Sequence, residues 1–161
     1  MRGGALPPAL LAGALGFALA FAPRRVIAPA AAAFFATAGL ASLWRPDPTW
    51  ADAIFYACWG SVVLTALSVH LPRAIGLRLG LLLAGNAGLW AGAVIAVAGV
   101  PLDLAKALPW VLISLPAGWL VTHRFPIGVK VVASWLIAVS LLAAALPATT
   151  PTPGYVGDHL E

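Results

Sequence analysis

The feature that most constrains this chain is a series of long apolar runs, separated only by short clusters of Pro, Gly and Arg. A continuous run of about 18–20 apolar residues reads as a transmembrane helix. A membrane barrel needs strict alternation of apolar and polar residues, and these runs are continuous instead. Composition agrees: 62% of the 161 residues are hydrophobic and 9% charged, against about 25% charged in a soluble domain. Mean hydropathy is +0.99. Such a chain has too few charges to cover a water-facing surface.

Boundaries follow the turn residues in "FAPRR", "WRPDPT", "HLPR", "GVPLD", "HRFP" and "LPATTPTP". They predict an all-α polytopic transmembrane bundle filling 1–147, with six spans at 7–22, 26–44, 50–71, 74–100, 102–123 and 126–147. Residues 148–161 read as a short irregular external tail. The first span is short, about 24 Å long at ~1.5 Å per residue. A cleaved signal peptide and a re-entrant hairpin are its rivals. Proline after "AFA" opposes cleavage, and a hairpin tip at Arg24 and Arg25 is costly inside hydrocarbon. A full span is expected.

The charges set an orientation. Loops after the first, third and fifth spans hold Arg24, Arg25, Arg73, Arg78, Arg124 and Lys130, and no acid. The other side holds Arg2, Arg45 and Lys106 with all five acids, Asp47, Asp52, Asp103, Asp158 and Glu161. The positive-inside rule places the first set in the cytoplasm and both termini on the non-cytoplasmic side. The same rule explains the pI near 10.0 without nucleic acid. Trp44, Trp50 and Trp110 are expected near the outer interface. Arg outnumbers Lys seven to two in an Ala-rich chain, as in a GC-rich bacterial genome. The expected location is therefore a bacterial inner membrane.

The fourth span carries small residues every four positions: Gly76, Gly80, Ala84, Gly88, Gly92 and Ala96. Such a ridge lets helix backbones approach closely in lipid. Asn86 lies about 200° away from it, on a face shared with Leu79, Leu82, Trp90 and Ala93. An amide facing lipid would leave its donors and acceptors unpaired. This span is thus expected at the centre of the bundle, with both faces occupied. Asn86 is then either a bond between helices, the plainer reading, or the polar point of a pore or binding site. The third span carries Cys58, Ser61, Thr65 and Ser68 on one face. They form a packing seam or, with Asn86, line a substrate path.

The remaining candidates for chemistry have plainer roles. "TWAD" at Thr49–Asp52 fits a capping box. Asp103 opens the fifth span with Lys106 as its i,i+3 partner. His70 and His123 fall at the same expected depth, but no second ligand pair accompanies them, and histidine suits a helix C-terminus. With Arg24, Arg25, Arg73, Arg78, Arg124 and Lys130 they form a basic rim. That rim fits anionic lipid headgroups or an acidic partner. Pro109 and Pro116 interrupt the fifth span, with Gly118 following, and kink it. Each cytoplasmic hairpin tip combines Pro and Arg, an echo that common turn chemistry also produces. The lone cysteine precludes an intrachain disulfide.

No nucleotide, zinc or redox motif occurs, so no cofactor or metal and no catalytic residue is expected. Three function classes follow. The first is a transport or permeation component, acting as a homo-oligomer or with other membrane subunits. The second is a non-catalytic structural or assembly subunit of a larger membrane complex. A membrane enzyme ranks third.

Overall fold

The computed structural model describes residues 6–72, 74–100 and 102–149, and all regular structure among them is helical. The helices are α1 (Leu6–Leu19), α2 (Arg24–Ser42), α3 (Ala51–Leu67), α4 (Leu77–Ala98), α5 (Leu102–Val111), α6 (Ser114–Thr122) and α7 (Pro126–Thr149). Short 3-10 turns at Pro48–Trp50 and Ser68–His70 lengthen α3 at both ends. Arg2, Arg73, Asp158, Glu161 and residues 150–161 of the expected tail lie outside the described residues. Thr149 still belongs to α7, so the helix runs past the expected start of that tail.

Among the described residues, five helical stretches are long and apolar enough to cross a membrane: Arg24–Ser42, Pro48–His70, Leu77–Ala98, Leu102–Thr122 and Pro126–Leu146. The fourth of these is α5 and α6 together, interrupted at Leu112 and Ile113. Proline explains the interruption. Pro116 has no N–H to offer the Leu112 carbonyl, which accepts from Leu115 N at 3.0 Å instead. Pro109 deprives Ala105 of its partner in the same way.

The first helix is the exception in length. α1 has 14 residues, about 21 Å at ~1.5 Å each, slightly shorter than the expected 7–22 segment and ending before it. It is apolar all round, and such a helix belongs inside a bundle. Leu11, Ala12, Ala14, Leu15, Ala18 and Leu19 are all fully buried. It packs against α3, α4, α5, α6 and α7. The fourth span has a helix on each face, α2 at its glycine ridge and α3 at Asn86, as expected of a central helix, yet it is not the most enclosed one. α4 leaves Leu81, Leu82 and Leu89 exposed, while α1 is shielded on nearly every side. The reason is length: a helix too short to meet the bilayer with its full surface does best under its neighbours.

α2 and α4 form the tightest pair, and they run parallel. Gly80 sits by Val26, Gly88 by Phe34 and Thr37, and Gly92 by Ala38 and Ala41, in one constant register. A Cβ on Gly88 or Gly92 would overlap the α2 backbone, at the Phe34 and Ala38 carbonyls. Four members of the small ridge, Gly80, Ala84, Gly88 and Gly92, are buried in this contact. The two ends depart from the expected ridge. Gly76 precedes the helix with open space around it, and Ala96 is only half-buried.

α1 runs parallel to α5–α6, with Gly13 by Trp110, Gly16 by Val111 and Ile113, and Gly118 by Ala20. Trp110 lies about 10 Å along the helix from Asp103 by helix rise, beside Gly13 of α1. Successive helices alternate in direction, which sorts the charges. Arg24, Arg25 and Arg78 open the parallel helices α2 and α4, and Lys130 lies near the start of α7. His70 reaches α7 through Ser134 at 3.1 Å, and His123 and Arg124 close α6. Asp47, Asp52 and Asp103 lie at the other end, where α3 and α5 begin. Cations in a first turn oppose the helix dipole, so helix stability does not explain where the arginines are.

One cap differs from the expected capping box. Asp47, not Thr49, is the capping residue. Its carboxylate accepts from Thr49 N at 2.9 Å and Thr49 Oγ1 at 2.8 Å. Pro48 takes the first helical position, which moves the cap one residue ahead of it. The Thr49 amide, then its hydroxyl, holds the Asp47 carboxyl below its ordinary pKa. Asp103 accepts from Val100 N at 3.1 Å and from Lys106 at 3.0 Å, closing the turn into α5.

Candidate functional site

The polar residues of α3 and α4 meet in a seam that is buried on α3 and half-buried at Asn86. Asn86 Nδ2 donates to Ser61 Oγ at 2.7 Å. The geometry follows from the two stripes: Ser61 faces inward on α3, and Asn86 lies off the α2-facing ridge of α4. Cys58, Ser61, Thr65 and Ser68 are all buried. Ser68 Oγ turns back to the Thr65 carbonyl at 2.6 Å, as membrane serines do. Thr65 Oγ1 and Trp59 Nε1 are buried with no hydrogen-bond partner among the described residues. Trp90, one turn beyond Asn86, is half-buried.

A second place was not apparent as a site in the sequence. A lateral groove of about 720 Å³ opens between α2 and α5–α6. Leu19, the last residue of α1, and Ala20 after it form its floor, Ile27 and Ala31 of α2 one wall, and Leu115 and Gly118 of α6 the other. Its mouth carries Arg24, Trp119, Thr122 and His123. Its deep end is the helix break, at Val111 and Ser114. α2 leans on α4 rather than on α6, and this leaves the space.

Hydrogen bonds shape the mouth. His123 Nδ1 donates to the Trp119 carbonyl at 2.8 Å, and the two rings stack with centroids 4.3 Å apart. Arg124 then turns the chain with φ 67, left-handed for a residue other than glycine. Phe125 N closes that turn on the Leu120 carbonyl at 3.0 Å, the bond pattern of a Schellman cap. Ser114 Oγ, at the break, is buried and without a partner among the described residues.

The groove contains none of Asn86, Trp90, Cys58, Ser61, Thr65 or Ser68. The amide and the hydroxyl stripe come together, but away from the open space. Of the basic rim, Arg24 and His123 line the groove, and His70 instead bonds Ser134. Arg78 borders a separate hollow whose described lining is Leu71, Pro72, Ala74, Gly76 and the first turn of α4, one local stretch rather than a space between helices. Among the described residues no three His, Cys, Asp or Glu side chains gather as a metal set. The sequence signal for the groove is Pro109, Pro116 and Gly118. Its walls come from three helices, so no single periodicity marks it. Compared with family models, curated proteins and solved structures, the chain matches none.

Proposed function

We propose that the chain is a transport or permeation component of a bacterial inner membrane, working as an oligomer or with partner subunits. Its site is the lateral groove, not the Asn86 seam. One observation carries this reading: an interrupted helix, α5–α6, breaks against α1 where a cavity of about 720 Å³ ends. Interrupted helices beside cavities are a recurrent way to build a substrate site within a bilayer. The volume falls in the usual range for small-molecule sites, about 300–1,000 Å³. In this reading α1 is the sixth crossing, the basic end is cytoplasmic and both termini face outward. A cysteine placed at Arg78 would then resist impermeant labelling from outside intact cells.

A second reading, a structural or assembly subunit, draws on the Asn86–Ser61 bond between helices and the tight α2–α4 contact. An enzyme remains third, since Asp47 and Asp103 serve as caps. Filling the groove separates the first two. Ala28 lines it from an exposed position on α2. Ala28→Trp is expected to insert at wild-type levels but fail to complement a deletion strain. Full complementation would overturn the transport reading. Co-purification of a stoichiometric membrane partner with the wild-type protein would support the second.

A further inference from the structure

We infer that the groove binds one acyl chain of an anionic phospholipid from the leaflet at the basic end, with the lipid phosphate at Arg24. This rests on the groove being a ligand site, and it names the class of ligand. The first argument is charge. Arg24 stands at the mouth, and the described carboxylates, Asp47, Asp52 and Asp103, all lie at the opposite end of the bundle. No described residue neutralises it. A guanidinium at a membrane surface is a bidentate phosphate partner.

The second argument is depth. From His123 at the mouth to Val111 at the break is about 18 Å by helix rise, close to the ~15 Å of one leaflet's hydrocarbon. The third is polarity along that depth. Leu19, Ala20, Ile27, Ala31 and Leu115 line the shaft, while Arg24, Thr122 and His123 are confined to the mouth. The Ser114 hydroxyl oxygen is inaccessible beneath the lining, so it does not interrupt the apolar path. Trp119, exposed beside the mouth, has the amphipathic ring suited to headgroup level. A free anion would use only the mouth, and a neutral lipid only the shaft. The arrangement matches a molecule that has both.

The test is lipid retention by delipidated full-length protein in native mass spectrometry. Phosphatidylglycerol and phosphatidylcholine with identical chains are the probes. The expected result is one saturable phosphatidylglycerol per chain, favoured about fivefold, the worth of one Arg near a membrane surface. Arg24→Gln should abolish that preference, whereas Arg45→Gln, at the other end, should preserve it. Ala28→Trp should reduce retention of both lipids, and Leu115→Trp repeats this from the facing wall if the first variant does not insert. Equal retention of the two lipids, an Arg24→Gln protein that keeps its preference, or displacement by inorganic phosphate would each overturn the inference. A groove that binds no lipid, but whose filling still abolishes complementation, overturns this inference and leaves the transport reading. A groove that binds lipid, but whose filled form complements fully, does the reverse.

Discussion

Asn86 Nδ2 lies 2.7 Å from Ser61 Oγ, and this bond ties the middle of α4 to the middle of α3. An amide in hydrocarbon without such a partner leaves its polar groups unpaired, at a cost of several kcal/mol. Net of what the unfolded chain finds in the membrane, a bond of this kind contributes about 0.6–2 kcal/mol.

The pair should therefore behave as a unit. Ser61→Ala and Asn86→Leu are each expected to lower stability in detergent by about 1 kcal/mol or more. The double variant should cost less than the sum of the two, because the bond is lost only once. Strict additivity in a double-mutant cycle would mean that the contact carries no coupling energy.

Thr65 and Ser114 should respond in the opposite sense. Their hydroxyl oxygens are buried without partners among the described residues, a state that costs about 1–3 kcal/mol for each unsatisfied group. Thr65→Val keeps the shape and removes the oxygen, and Ser114→Ala removes it with one small atom. Both are expected to leave the melting midpoint unchanged or raise it. A fall comparable to that of Ser61→Ala would show that the oxygens have partners in the membrane.

Glycines on α4 should divide by face. A side chain on Gly88 meets the Phe34 carbonyl and Thr37, whereas one on Gly85 meets nothing within 4 Å. Gly88→Leu should force α2 and α4 apart, costing at least the ~1–3 kcal/mol typical of overpacking. Gly85→Ala should gain a few tenths of a kcal/mol from helix propensity. Equal melting curves for Gly88→Leu and wild type would refute the close contact.

Arg124 holds a left-handed conformation, φ 67, at the position where a Schellman cap favours glycine. Arg124→Gly should relieve about 1 kcal/mol of backbone strain, visible as slower unfolding in detergent. If the charge at this end also sets orientation, the same change should raise the fraction of inverted molecules in cysteine-labelling assays. A less stable Arg124→Gly protein would mean that the guanidinium outweighs the backbone cost.

What the sequence discloses depends on where each signal is stored. Helix content is written in every apolar run. Close packing on Gly80, Gly88 and Gly92 is written in their spacing, because four residues return to one helix face. That Asn86 needs a partner follows from its chemistry alone. That the partner is Ser61, rather than another hydroxyl of the α3 stripe, depends on the relative height of two helices, which no local pattern records. The cap on Asp47 was obscured by Pro48, which starts the turn two residues earlier than the Thr49 pattern suggests. The groove was least visible, since Arg24, Ile27, Leu19 and Leu115 come from three helices and meet only in the folded chain.

The burial of α1 also bears on how the protein is made. Leu6–Leu19 is synthesised before α3, α4, α5, α6 and α7, yet those are the helices it packs against. At about 21 Å, it falls short of the ~30 Å that would let the bilayer hold it unaided. Its final place must wait for neighbours not yet made when it leaves the ribosome. A helix translated before its neighbours is thus among the last to settle, and assembly ends by closing the later helices around it.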